Sequence, residues 1–334
     1  MKKNTSRRSF LKTSVAAATA MALPSSVLAA DGALEANGRV KIGRDDLAGR
    51  AAVSIEGQEA FVYRYGPEAG LAHYYPVRSP EGKSMTVQFP DRFPHHRSFW
   101  FADQVALEGH SNVHFYNAWH SREEAEDGTL LFPHRIRHDQ WLDIEEREDA
   151  LRIEKKLLWE MDYDTPVLDE HRDMRVRALG DGEYFLDITF TVTAAYGDVT
   201  FDSDWSHYAW PYIRMNETFN VEEGGGRIVN SEGGVNQEGT DQQEAVWVDY
   251  SATADDETAG LAIFSHPDNE QPHQWLTRDY GCFGPRRIDE LWGDPFTLSE
   301  GESMSRRVGV LAHRGDVEGG RVEERYEAYV GGEL

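Results

Sequence analysis

Pro94-His95-His96-Arg97-Ser98-Phe99-Trp100-Phe101 sets two histidines, an arginine and an indole side by side, and His110 and His114 follow within about twenty residues. Imidazoles change charge near neutral pH and can move protons or ligate a metal, while a guanidinium holds a carboxylate through two parallel hydrogen bonds. The aromatics between them offer faces on which a ring-shaped ligand can stack. The segment reads as the floor of a substrate pocket.

Three further places concentrate groups that can act. In Pro133-His134-Arg135-Ile136-Arg137-His138, two-residue alternation puts His134, Ile136 and His138 on one strand face and both arginines on the other. Glu232 sits on a glycine-loosened turn, Asn230-Ser231-Glu232-Gly233-Gly234. The stretch from His266 to Tyr280 carries His273, Trp275, Arg278 and Asp279 between them. Each has a structural alternative: a hydrogen-bonded turn at the histidine pair, an exposed strand face at His134, a surface acid at Glu232, a structural ion pair at Arg278. No strict metal signature is present, and adjacent histidines diverge on an extended chain. A divalent metal held by histidines stays open, with no cofactor firmly implied.

The elements that must position these residues are strands. Leu151, Ile153, Leu157 and Trp159 alternate with charged neighbours, and Tyr184, Leu186, Ile188, Phe190 and Val192 alternate with Asp187, Thr189, Thr191 and Thr193. Further strands are expected at 60–65, 74–78, 85–89, 112–116, 130–138, 245–250, 260–264 and 306–313. The acidic runs at 123–127 and 255–257 read as hairpin tips, and the one convincing helix lies around Val322–Tyr329. This pattern predicts an all-β chain, a large antiparallel β-sandwich.

Residues 1–30 read as a twin-arginine signal: Arg7-Arg8, a modest apolar run from Val15 to Leu23, and a small-residue cleavage site at Val27-Leu28-Ala29. Residues 31–334 then form a single β domain, periplasmic or secreted. The signal holds five basic residues and no acid, so its removal takes the formal net charge from −25 to about −30. That field argues against nucleic acid or an anionic membrane as partner. Cys282 is the only cysteine, which excludes an intramolecular disulfide.

Tyr74-Tyr75-Pro76-Val77-Arg78-Ser79-Pro80 and the Pro94–Phe101 block resemble the N-terminal signature of the PmoA-like family. Ile228–Gly234, Trp247–Ser251, Ala262–Pro267, Arg278–Gly281 and Asp294–Glu302 continue it in order. That family often carries a methane-oxygenase label, yet an exported β-sandwich without membrane spans is not similar to a membrane-embedded copper enzyme. The resemblance implies an exported protein of polysaccharide-degrading bacteria, a fold like the galactose-mutarotase supersandwich, and carbohydrate chemistry. The chain departs from the family pattern at Trp205–Tyr212, which adds His207 and several aromatics.

Together these features lead to an exported enzyme acting on an oligosaccharide by β-elimination at a uronate. Arg97 or Arg278 would neutralise the carboxylate, His96 or His134 take the α proton, and Tyr280 or His95 assist the leaving oxygen. Trp100, His207, His266 and Trp275 would complete the sugar site. With a neutral sugar, the same residues fit a glycoside hydrolase or mutarotase using Glu232, or a noncatalytic sugar-binding protein.

Overall fold

The computed structural model describes residues 38–202, 208–269, 273–286 and 295–334, all within a unit spanning Asn37–Leu334. The expected signal segment and His207 lie outside the described residues. Two eight-stranded sheets dominate. The first runs, in spatial order, Val40–Asp45, Arg50–Ile55, Gln58–Arg64, His73–Val77, Phe99–Trp100, Tyr212–Arg214, Cys282–Pro285 and Trp275–Thr277. The second runs Arg135–Glu146, Ala150–Met161, Thr165–Gly180, Glu183–Thr193, Ser303–Arg314, Glu257–Ser265, Trp247–Ala254 and Arg227–Asn230. Every pairing within them is antiparallel.

The sheets face each other across an aromatic core. Phe61 of the first meets Tyr184 of the second at 6.2 Å between ring centroids, and Phe283 meets Tyr250 at 5.4 Å. The chain is therefore a large antiparallel β-sandwich. The expected alternation holds where one face is wet: Leu151, Ile153, Leu157 and Trp159 are buried, as are Leu186, Ile188, Phe190 and Val192. Asp255 and Asp256, with φ of 51° and 66°, form the two-residue tip that a right-twisted hairpin prefers. Helix Val322–Val330 lies where periodicity puts it.

Three expected strands fail locally, among them 130–138, which divides into Leu130–Leu131 and Arg135–Glu146, and one strand goes unforeseen. No strand forms over 85–89; the segment contributes only an isolated bridge at Thr86. The 112–116 strand shortens to Val113–His114, because a 3₁₀ segment, Phe115–Ser121, takes over and turns Tyr116 and His120 toward His95. The longest strand, Thr165–Gly180, is concealed in the sequence because its inward face carries Glu170 and Arg172 among apolar residues. Both are fully buried and satisfy each other: Arg172 donates to Glu170 at 2.5 and 2.8 Å, and the Trp159 indole donates to the same carboxylate at 3.0 Å.

Candidate active site

The site gathers where the first sheet is narrowest. Phe99–Trp100 pairs with Tyr212–Arg214, which pairs with Cys282–Pro285. Side chains on one face of these short strands, together with the turn ahead of Phe99 and the 3₁₀ segment, converge into one cluster. Trp100 stacks on Tyr212 at 5.0 Å, Tyr116 stacks on Tyr208 at 4.3 Å, and Tyr116 lies 5.6 Å from Trp100. His96 approaches Trp100, Tyr116 and Tyr280 at 5.5, 5.8 and 6.3 Å between centroids. Phe93 fills the gap between His96 and Tyr280, stacked on the first at 4.8 Å and 4.9 Å from the second.

Arg214 enters this cluster from its strand. It is 4% exposed, and its guanidinium lies 4.7 Å from the Tyr280 ring centroid. Its Nε and Nη1 are buried without a hydrogen-bond partner, and among the described residues no carboxylate pairs with it. The His96 Nδ1 and the Trp100 Nε1 are likewise buried and unpartnered. Buried polar groups in folded proteins are nearly always bonded, and a guanidinium stays charged at any ordinary pH. Four unmet polar atoms, two on Arg214 and one each on His96 and Trp100, thus lie in one place.

The electrostatics fit this arrangement. Burial holds the His96 imidazole well below its ordinary value, assisted by the nearby His95, Arg214 and Arg97. His96 is therefore neutral at pH 7 and keeps a lone pair. His95 is pushed down to about 4 by burial, then by His120 and Arg97. The Tyr280 phenol is raised by burial, then by neighbouring Cys282, so it keeps its proton. Cys282 is itself raised to about 12 by burial, which leaves an inert thiol in the site floor.

The adjacent histidines do not diverge as an extended chain would require. A turn closed by His96 N–H to Phe93 O sets their rings edge to face, 4.6 Å apart, on one side. Arg97 holds that turn from behind, its Nη1 donating to the carbonyls of Pro94 and His95 and its Nη2 to that of Ala69. With its guanidinium packed on Phe89 at 4.1 Å and fully buried, Arg97 faces backbone rather than substrate.

The other expected site residues lie elsewhere. His134 bonds Ser121 Oγ at 2.6 Å, at the last residue of the 3₁₀ segment. Arg278 pairs with Asp241 at 2.6 Å, the structural alternative raised for it. Trp275 is fully buried, its indole donating to Ala245 O. His266 meets Arg307 at 3.0 Å and packs on Tyr329 of the C-terminal helix. Glu232 lines a separate cleft of about 500 Å³ with Asn230, Gln242, Gln243, Glu244 and Gln274. No group of three or more metal-ligating side chains converges among the described residues.

Sequence reasoning missed Arg214, Tyr116, Tyr212 and His120. A signal for Arg214 was present: a lone arginine in the apolar run Tyr212-Ile213-Arg214-Met215, with no acid beside it to neutralise it.

The search of curated proteins finds no match. Among solved structures, the chain is similar to the GH36 α-galactosidase AgaB from Geobacillus stearothermophilus (12% identity, TM-score 0.45, covering 84% of this chain and 42% of that one). It is similar also to the α-galactosidase from Lactobacillus brevis (8%, 0.41, 83% and 40%) and to a polysaccharide lyase (13%, 0.33, 86% and 34%). The chain spans less than half the length of each. A twin-arginine translocation signal matches residues 4–24, so the chain carries the mark of export by that pathway, and no helix among the described residues is long and apolar enough to cross a membrane. The profile of a family of unknown function, DUF6807, matches residues 50–327, and the chain belongs to that family.

Proposed function

We propose that this exported protein is a carbon–oxygen lyase acting on a uronate-bearing oligosaccharide at the His96–Arg214–Tyr280 cluster. The observation that carries the reading is Arg214, a buried guanidinium with two unpartnered nitrogens beside a neutral imidazole and a protonated phenol. A substrate carboxylate supplies the missing counter-charge, and neutralising it acidifies the α carbon. His96 takes that α proton, electrons move to form the carbon–carbon double bond, and the β oxygen leaves with the proton of Tyr280. No electrons are gained or lost, so no redox partner is needed. Trp100, Tyr116 and Tyr212, packed on one another, form the aromatic wall that holds this cluster in place.

Elimination is favoured over hydrolysis because hydrolysis uses a pair of carboxylates, and no hydrogen bond or ion pair joins a carboxylate to His96, Arg214 or Tyr280 among the described residues. The resemblance of the Pro94–Phe101 block to PmoA-like proteins implies carbohydrate chemistry of either kind. The test is incubation of the mature protein with uronate oligosaccharides while following ultraviolet absorbance of the new conjugated double bond. A rise that His96→Ala abolishes supports the reading; no rise across anionic glycans sinks it, and sugar binding without turnover makes the protein a binding module.

A further inference from the structure

His95 Nδ1 and His120 Nε2 lie 2.9 Å apart, so one nitrogen donates a proton that the other accepts. His120 is exposed, on the outer end of the 3₁₀ segment, whereas His96 is 3% exposed. His95 bridges them, its ring 4.9 Å from that of His120 and 4.6 Å from that of His96. Three imidazoles thus form a file from solvent to the cluster. We propose that His120 and His95 are a proton relay that returns the proton captured by His96 to water, which makes His120 a positioning and transfer residue of the lyase site.

The need for such a relay is physical. A base that accepts a proton must release it before the next turnover. His96 is walled by Phe93, Trp100 and Tyr116, and an imidazolium there faces the cations Arg97 and Arg214. Its charged state is costly, so rapid release is favoured if an acceptor is in reach. At each step one N–H bond breaks and another forms: from His96 to His95, whose rings meet edge to face and close to a hydrogen bond for the transfer, from His95 to His120, and from His120 to water. Solvent meanwhile restores the proton that Tyr280 gave to the leaving oxygen, so the cycle balances. His95 has a contact in both directions, and each passage leaves it in its other tautomer, so its ring nitrogens re-exchange protons before the next turnover.

The relay rests on His96 being the base, and the experiment separates the two. His120→Ala, an exposed substitution, should lower kcat about 10- to 100-fold with KM unchanged, and free imidazole in the buffer should restore it. In parallel, the mature protein labelled with ¹⁵N-histidine should show a hydrogen-bonded ring nitrogen on His95 that shifts in His120→Ala. Full kcat in His120→Ala, with an active parent, overturns the relay and leaves the base assignment standing. If the parent turns over no uronate, the lyase reading falls. The spectrum then decides alone: unchanged His95 nitrogens in His120→Ala overturn the coupling.

Discussion

The guanidinium of Arg214 rests 4.7 Å from the centre of the Tyr280 ring, buried and without an ion-pair partner among the described residues, in a protein whose formal net charge is −25. Acids abound on this chain, yet none of the described ones pairs with this cation. The contrast is Arg172, equally buried, which has Glu170 at 2.5 Å. Leaving one buried charge unmatched lowers stability, and such sites persist where a ligand supplies the other charge.

Replacing Arg214 should therefore move stability and binding in opposite directions. Arg214→Met removes an unpaired buried charge and is expected to stabilise the free protein by about 1–2 kcal/mol, measured by denaturant titration. It should also abolish turnover of uronate substrates. Loss of both stability and activity would indicate a structural cation instead.

Arg97→Met should do the reverse of Arg214→Met on stability. Its bonds to the carbonyls of Ala69, Pro94 and His95 fix the turn that aims both histidines. Leaving those acceptors unmet is expected to cost about 2–4 kcal/mol in the same titration. An unchanged midpoint would show that the turn holds without it.

Gly281 keeps Arg214 in place. Its φ is +107°, and a Cβ there would stand 2.7 Å from Met215 O and 3.0 Å from Arg214 Nη1. Gly281→Ala is expected to destabilise the fold by about 1–3 kcal/mol and to weaken uronate binding. Calorimetry on the folded variant reads the second effect, and wild-type affinity would dissociate the turn from the site.

A second buried imidazole gives a pH dependence of known sign. Both nitrogens of His313 face acceptors, Asp249 Oδ2 at 2.7 Å and Arg314 O at 3.1 Å, so the ring is doubly protonated. Burial pulls its pKa down, but Asp249, by charge and hydrogen bond, outweighs this and raises it overall, with Glu183 adding to the same sign. A folded value above the unfolded one, about 6.5, gives stability that is full below pH 6.5 and is lost as pH rises through the folded value. Unfolding midpoints from pH 6 to 9 should fall in the parent and stay flatter in Asp249→Asn. Parallel curves would contradict the ion pair.

The two-sheet plan was legible because wet-faced strands alternate, as at 184–192, and because acidic tips such as Asp255-Asp256 mark hairpins. The strand Thr165–Gly180 was hidden because Glu170 and Arg172 point inward as a matched pair, which alternation alone reads as polar surface. At the site, His95, His96, Trp100 and Tyr280 could be named from their types. Arg214, Tyr116 and His120 could not, because a sheet neighbour and a 3₁₀ turn bring them in from 20 to 118 residues away from His96, a distance that spacing does not encode.

The most direct test is calorimetric titration of the mature protein and Arg214→Met with a uronate oligosaccharide and with its carboxyl-reduced counterpart. The expected result is that only the parent binds the uronate tightly, with affinity falling by about 2–4 kcal/mol when either the guanidinium or the carboxylate is removed and little further when both are. Equal affinity of the parent for the charged and the reduced sugar would contradict the pairing of Arg214 with a substrate carboxylate.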